Sequence, residues 1–433
     1  MSSVSKKTKK RLKENIKNVA NNTEKFAKNP QRDFSRNRKL TFATTLEIVL
    51  AMEGQSLSTE LLKYFKFRGD VATSSAFIQA RDKIKLEAFA SIFQNFTSGP
   101  KNIIKYRDYR LLAHDGSDIN LPLDQTNKET YQPLKNEGVN LLHLTVFYDI
   151  MNKIYVDASL EGKCKSNERN SLCKMLDHTI FQDKSIIIAD RGYESYNVFA
   201  HISEKGQKYI IRVKDVNSTG ILKNLDLPKT SVFDTEIERI LTRRQTKELL
   251  KNPKFKFLPS NSTFDFLPLK SKEFYPLCFR IVCFEIAENS YETLITNLDS
   301  TEFSIEELKK IYHMRWGIET SFRELKYALG LVNLHAKKLE FIKQEIYAKL
   351  IMYNFCMMIT KQVVVQKRDA KWGYQVNFTR AIEICRYFFG FSGVSPPEVE
   401  SLIANFTLPI RENRTYKRNL KNKSFVRFLY RVA

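Results

Sequence analysis

A mixed β-sheet with helices on its faces, an α/β fold, is predicted by three features of this 433-residue sequence. Residues 109–214 read in the order three strands, helix, strand, helix, strand, the alternation that a sheet covered by helices produces. Residues 216 to about 298 are frequent in Phe, Pro, Thr and Lys and contain long β-type runs. Both flanks carry helical periodicity instead.

The elements follow in chain order. Residues 1–39 read as a flexible basic arm, because the first forty residues hold thirteen Lys/Arg against three acids and little that could form a core. Residues 40–100 read as a helical region: "LTFATTLEIVLAMEG", "STELLKYF" and "TSSAFIQARDKIKLEAFASIFQNF", the last opening at the cap-like Thr73, Ser74 and Ser75. A helix-turn-helix-like unit there would set Gln79, Arg81 and Lys83 against DNA; a plain helical bundle fits the pattern as well. "TSGPKN" (97–102) marks a domain boundary.

Next, "YRLLAHDGSDINLP" is a strand ending in a turn, and "NLLHLTVFYDI" and "NKIYVDASLEG" are two strands joined at 149–152. "ERNSLCKMLDHTI" has helical spacing, "KSIIIADRGY" is a short apolar run of the kind buried in a sheet, "YNVFAHISEKG" is a helix with a Gly stop, and "QKYIIRVK" is a further strand. "PLCFRIVCFEIA" and "YETLITNL" are strands of a β-rich insertion spanning about 216–298. Ser304 and Glu307 form an S-x-x-E capping box that opens a long helix ending near Gly330. This closes a domain of residues 101–330. Residues 331–433 read as helical, with a tail from Arg411 that holds eight Lys/Arg and one Glu.

Composition bounds the function. The formal net charge is +23 and the pI about 9.6, an excess that attracts a polyanion, with nucleic acid the default partner. Hydrophobic residues make up 42% of the chain, enough for a sizeable core. The six cysteines form no C-x-x-C pair and no tight cluster with His, which argues against zinc and a disulfide framework and for reduced thiols in a cytosol. The first residues lack an apolar signal core. The most apolar run, "LIMYNFCMMITKQVVV", is broken by Asn354, Lys361 and Gln362 and reads as a buried helix rather than a membrane span.

One stretch carries chemistry. In "YHMRWGIETSFRELK", Tyr312, Arg315, Glu319 and Lys326 stand at about 0°, −60°, −20° and −40° on a helix turning about 100° per residue. Ile311, Met314, Ile318, Phe322, Leu325 and Leu329 form an apolar stripe beside them. By itself this is what an exposed Arg–Glu i,i+4 pair looks like. Upstream, however, Asp115 follows "RLLAH" and Asp190 follows "SIIIA", each where a buried strand is expected to meet solvent, although each could also merely start a turn. Three carboxylates from three segments would repel one another unless a cation sat between them, and hard oxygen ligands suit Mg²⁺ or Mn²⁺. Two such ions can activate a water and stabilise the leaving oxygen of a phosphodiester. Arg315 and Lys326 would then hold phosphates, and Tyr312 could hydrogen-bond one.

The pattern Y-x2-R-x3-E-x6-K, together with "HDGSD" and "IADRGY", resembles the signature of DDE transposases of the insertion sequence four type, and "YIIRVK" and "LITNL" resemble further segments of that family. The resemblance runs from about Leu40 to the end of the chain. It implies an RNase H-like catalytic core interrupted by a β-rich insertion, with helical N- and C-terminal regions. It implies Asp115, Asp190 and Glu319 as the triad that holds two Mg²⁺ ions, Mn²⁺ being able to substitute, with Tyr312, Arg315 and Lys326 completing the catalytic set. It implies cut-and-paste chemistry on double-stranded DNA. Water cleaves one strand at the element end, the freed 3′-OH forms a hairpin with the opposite strand, and after opening it joins target DNA. It also implies a homodimer on paired ends, an N-terminal region that reads terminal inverted repeats, no membrane partner, and a bacterial cytoplasmic, nucleoid-associated setting.

Two features depart from the pattern. Some relatives stack a flipped base on a Trp in the insertion, whereas here Trp316 and Trp372 both lie outside it, leaving Phe257, Phe264, Phe266 and Tyr275 as stand-ins. Asp118 lies three residues after Asp115 and competes with it as the ligand; Asp115 is preferred because it directly follows the apolar strand. A non-transposing nuclease with the same core, and a catalytically inactive DNA-binding derivative, are the competing readings.

Overall fold

A computed structural model describes residues 3–36, 38–99, 102–134, 138–164, 166–215, 220–223, 225–365, 373–393 and 398–410, together with the backbone of 429–430. The N-terminal helices are α1 (Val4–Ala20), α2 (Thr23–Phe26), α3 (Phe42–Ala51), α4 (Leu57–Tyr64), α5 (Ser74–Asp82) and α6 (Leu86–Thr97). Four of them start where a hydroxyl caps a free backbone N–H: Ser3 for Lys6, Thr41 for Thr44, Ser56 for Thr59 and Thr73 for Ala76, at 3.1–3.4 Å.

The sheet region follows as β1 (Arg110–Leu121), β2 (Tyr131–Gln132), β3 (Val139–Asp149), β4 (Ile154–Gly162), α7 (Glu168–His178), β5 (Ser185–Ala189), α8 (Tyr196–Glu204), β6 (Lys208–Arg212), β7 (Phe233–Thr242), α9 (Lys247–Lys251), β8 (Phe255–Phe257), β9 (Phe274–Ala287) and β10 (Ser290–Thr296). These strands make one sheet in the order β2-β3-β1-β5-β6-β10-β9-β7-β8, with β4 also on β3. β1 is antiparallel to β3 and parallel to β5, and β5 is parallel to β6. This mixed core, β4-β3-β1-β5-β6 with helices on its faces, is RNase H-like. All of β5 is buried because both faces are covered. Ile187 and Ala189 pack with α7 and α8, whereas Ile186 and Ile188 pack with Ile311 and Tyr312.

The C-terminal part contains α10 (Ile305–Met314), α11 (Trp316–Arg323), a π-turn (Glu324–Ala328), β11 (Asn333–Leu334), α12 (Leu339–Thr360), β12 (Gly373–Val376), α13 (Phe378–Gly390), α14 (Val399–Ala404), β13 (Thr407–Ile410) and β14 (Leu429–Tyr430). β12 pairs with β13, and β11 with β14. The 22-residue α12 is buried along most of its length and joins the N-terminal helices to the sheet in one hydrophobic core. Trp372, Pro100 and Lys101 at the expected boundary, and the basic tail from Arg411 apart from β14, lie outside the described residues.

Two expectations are corrected and a third is extended. The segment expected to be a flexible arm contains α1, which buries Leu12, Ile16 and Val19 at helical spacing. Its cations have partners within the fold: Lys9 donates to the carbonyls of Phe388 and Phe391 at 2.6 Å, Arg11 lies over the Phe96 ring and Lys13 meets Glu47 at 2.8 Å. The β-rich segment joins the core sheet: β10 pairs with β6, and β9, β7 and β8 extend from it. Leu294 and Ile295 enter hydrophobic clusters on opposite faces of that extension. Finally, Asp115 is not at a strand end: β1 runs on through the "DGSD" segment, because β3 pairs with it as far as Leu121.

Candidate active site

Alternation along a strand decides which way the aspartates face. Leu111 and Ala113 precede Asp115 on one face of β1, and Ile186 and Ile188 precede Asp190 on β5; Leu111, Ile186 and Ile188 pack with Ile311 and Tyr312 of α10. Both carboxylates therefore belong to the α10 face. The parallel register pairs Ala113 with Ile188, and two further residues bring Asp115 level with Asp190. β5 ends at Ala189, so β1 loses its neighbour on that side at the level of Asp115. That notch, not a strand end, brings Asp115 to the surface. Asp190 also serves the turn reading, since its Oδ1 accepts the Gly192 N–H at 2.8 Å.

The helix over this face begins as expected, with the Ser304–Glu307 capping box in both directions. It breaks at Arg315, where i→i−3 bonds (Arg315 N to Tyr312 O and Ile318 N to Arg315 O, both 3.0 Å) tighten the turn. It ends in the π-turn, with Leu329 N bonded to Glu324 O at 3.0 Å, and at Gly330, whose φ of +74° suits glycine. The uniform wheel thus fails at Lys326, which lies within the π-turn.

Arg315 is the centre of the charge arrangement. It is 6% exposed, donates from Nη2 to Glu319 Oε1 at 2.8 Å and has Nη1 3.9 Å from Asp115 Oδ2. Burial works against its charge, but Tyr312, Glu319 and Asp115 outweigh burial and raise its pKa. Burial pushes the Asp115 carboxyl up to about 6; the Gly116 N–H and Arg315 oppose this, while Asp190 and Glu319 add to it. Asp115 therefore feels both other carboxylates. Tyr312 is 4% exposed, and burial pushes its hydroxyl up to about 12, so it stays protonated near neutrality. Lys326 Nζ donates to the Asp118 carbonyl at 3.2 Å, and burial lowers its pKa.

The three carboxylates form a hard-oxygen donor set with unmet repulsion at Asp115, which fits a divalent cation in chemistry. Among the described residues no three His, Cys, Asp or Glu are drawn together closely enough to hold a metal ion. Arg315 spans Asp115 and Glu319 instead.

Asp118 is engaged elsewhere. Its carboxylate meets His143 Nδ1 at 2.6 Å and Lys163 Nζ at 3.1 Å. This network was not singled out in the sequence; the only signal was a His at the centre of an apolar strand. Of the proposed DNA-facing side chains, Arg81 is corrected. It is 2% exposed and bonds Gln344 Oε1, Glu345 Oε1 and the Phe341 carbonyl. Gln79 and Lys83 instead line a cavity of about 590 Å³ together with Arg32, Arg36, Arg38 and Lys39, and among the described residues no carboxylate lines it. Of the aromatic stand-ins, Phe264 is a core residue at 4% exposure; it packs with Phe266 and Tyr275, ring centroids 5.1–5.8 Å apart.

An RNase H-like sheet with aspartates on adjacent parallel strands and a Y-R-E-K helix across its face is the layout of the DDE transposase class. Residues 106–355 match the family model described as the transposase DDE domain, and the chain belongs to that family. It is 27% identical over 143 residues to the transposase InsG for insertion sequence element IS4 of Escherichia coli (strain K12), covering 30% of this chain and 32% of that protein. It is 41% identical over 58 residues to the transposase for insertion sequence element IS421 of Escherichia coli, covering 13% and 16%. The matches thus span about a third or less of these relatives' lengths. A solved piggyBac transposase synaptic complex with hairpin DNA aligns at a TM-score of 0.43 and 10% identity, over 96% of this chain and 85% of that one. Among the described residues no helix is long and apolar enough to cross a membrane.

Proposed function

We propose that this chain is a DNA transposase that cuts double-stranded DNA at insertion-sequence ends and joins the freed 3′ ends to target DNA. The observation that carries the reading is the buried Arg315 bridging Asp115 of β1 and Glu319 of the helix, with Asp190 level with Asp115 at the end of the adjacent parallel strand. Asp115, Asp190 and Glu319 would hold Mg²⁺, with Mn²⁺ as a substitute. Bound there, divalent ions supply an activated hydroxyl nucleophile and charge stabilisation at the leaving oxygen.

The chain's own residues do the rest. Once a phosphate enters, the Arg315 guanidinium, already charged and largely desolvated, offers it a bidentate grip. Tyr312, held protonated by burial, donates a hydrogen bond to a phosphate oxygen. Lys326 is anchored to the Asp118 carbonyl and adds a second cation beside the site. The acid-free cavity lined by Arg36, Arg38 and Lys83 supports a backbone contact for the same DNA. Hairpin formation and action as a homodimer on paired ends belong to this proposal.

The test is strand cleavage and joining of a linear duplex that includes the DNA flanking the gene, with Mg²⁺ present. Cleavage with strand joining supports transposition; cleavage without joining would leave a nuclease; neither, from folded protein that binds DNA, would leave a DNA-binding derivative.

A further inference from the structure

We infer that His143 is a positioning residue of this site, a wedge behind β1 that holds the Gly116–Asp118 segment and thereby the Asp115 carboxylate and the anchor of Lys326. The inference rests on the functional reading above.

His143 stands on β3 directly opposite Asp118 and is 2% exposed. Its Nδ1–H donates to Asp118 Oδ1 at 2.6 Å, and Lys163 Nζ grips the same oxygen at 3.1 Å. The far side of the ring lies against Gly116, where a Cβ would collide with Nε2 and Cε1. Nε2 is buried and has no hydrogen-bond partner among the described residues. One ring nitrogen therefore bonds and the other fills space against a backbone. Glycine weakens a strand interior and marks close approach of another group; at position 116 that group is this imidazole.

The consequence lies on the opposite face. Gly116 directly follows Asp115 and donates its N–H to Asp115 Oδ1 at 2.8 Å, so a shift of the Gly116 peptide moves the carboxylate. Asp118 is tied through its side chain behind the strand, while its carbonyl accepts Lys326 Nζ at 3.2 Å. β5 no longer pairs with β1 at this level, so that edge of the strand lacks a ladder to hold it. The His143–Asp118–Lys163 group supplies the missing restraint. A cross-strand pair of merely structural use would affect folding but not the rate at fixed fold and fixed DNA affinity.

The test compares wild type, Gly116→Ala, His143→Asn and the double variant. Asn keeps a donor for Asp118 and vacates the ring's space. Single-turnover cleavage of the flanking-DNA duplex, duplex affinity, melting midpoint and calorimetric Mn²⁺ binding without DNA are measured for each. Gly116→Ala is expected to lower the cleavage rate about 10²-fold, the scale of a misplacement near 1 Å, and to weaken Mn²⁺ binding, with duplex affinity and midpoint near wild type. The double variant is expected to regain most of that loss. Wild-type rate and Mn²⁺ affinity in Gly116→Ala, or a double variant no faster than Gly116→Ala, would overturn the inference while leaving the functional reading intact. If Gly116→Ala does not fold, His143→Asn alone decides: a drop of about tenfold at unchanged duplex affinity supports the positioning role, and a wild-type rate overturns it. A wild type that neither cleaves nor binds Mn²⁺ would overturn the functional reading and this inference together.

Discussion

Arg315 donates to Glu319 Oε1 at 2.8 Å along the helix while its other terminal nitrogen stands 3.9 Å from Asp115 on the sheet. One guanidinium thus joins the helix to β1 between two of the three candidate carboxylates. If the pair were only an exposed i,i+4 contact, Arg315→Ala would cost about 0.2–0.5 kcal/mol of helix stability and leave activity unchanged. The expected outcome differs: cleavage falls on the order of 100-fold or more, as for loss of a preorganised charge-stabilising donor, with DNA affinity retained. Glu319→Gln keeps the shape but not the anionic oxygen and should be inactive. Both are read in the strand-cleavage assay, and an Arg315→Ala protein with normal cleavage and joining would remove the clamp role.

Asp115→Asn and Asp190→Asn should abolish cleavage without loss of DNA binding. Asp118→Asn should slow cleavage without abolishing it, because its carboxylate is held by His143 and Lys163 rather than offered to the site. Rates of the three variants measured side by side decide the matter; an active Asp115→Asn beside a dead Asp118→Asn would reverse the assignment.

DNA affinity should fall steeply with salt. With six phosphate contacts, the loss between 50 and 200 mM salt is on the order of 10³-fold. Arg36→Ala and Lys83→Ala, both lining the acid-free cavity, should each lower the slope of log K against log salt by about one. A flat titration, or slopes unchanged in both variants, would show that the cavity does not face DNA.

Glu345 on α12 is fully buried against Arg81 at 2.9 Å and His335 at 3.2 Å. Burial opposes its charge, but Arg81 and His335 outweigh it and hold the carboxyl down at about 2. The folded value lies below the ordinary 4.5, so this contribution to stability is complete above pH 4.5 and is lost as pH falls toward 2. Glu345→Gln should destabilise the protein by about 3–5 kcal/mol at neutral pH, because it leaves Arg81 buried without its counter-charge. Melting midpoints from pH 2 to 7 check this, and the difference from wild type should shrink toward the acid end.

Ile16→Ala should cost about 2–5 kcal/mol, since the side chain is 1% exposed within the shared core. A free arm would show no change in chemical denaturation.

Much of this protein was legible locally. The Ser304–Glu307 box, the stop at Gly330, the hairpin across 149–152 and the buried run before Asp190 depend on residues within a turn or two of each other, and periodicity and capping report such spacing directly. The six candidate site residues were picked out by local spacing too, the Y-x2-R-x3-E-x6-K interval and two aspartates that follow apolar runs. What only the tertiary structure decided depends on partners tens to hundreds of residues away. Arg81 looked like a DNA contact because its acceptors, Gln344, Glu345 and the Phe341 carbonyl, stand on α12. The arm looked flexible because the surfaces that cover Leu12, Ile16 and Val19 and the carbonyls that accept Lys9 come from other elements. Asp115 looked like a strand end because no local pattern reveals that β3 keeps pairing where β5 stops. Local sequence specifies backbone preference and side-chain spacing; burial and pairing are properties of the assembled chain, and they alone give the Asp118 carboxylate to His143 and Lys163 and leave Asp115 beside Arg315.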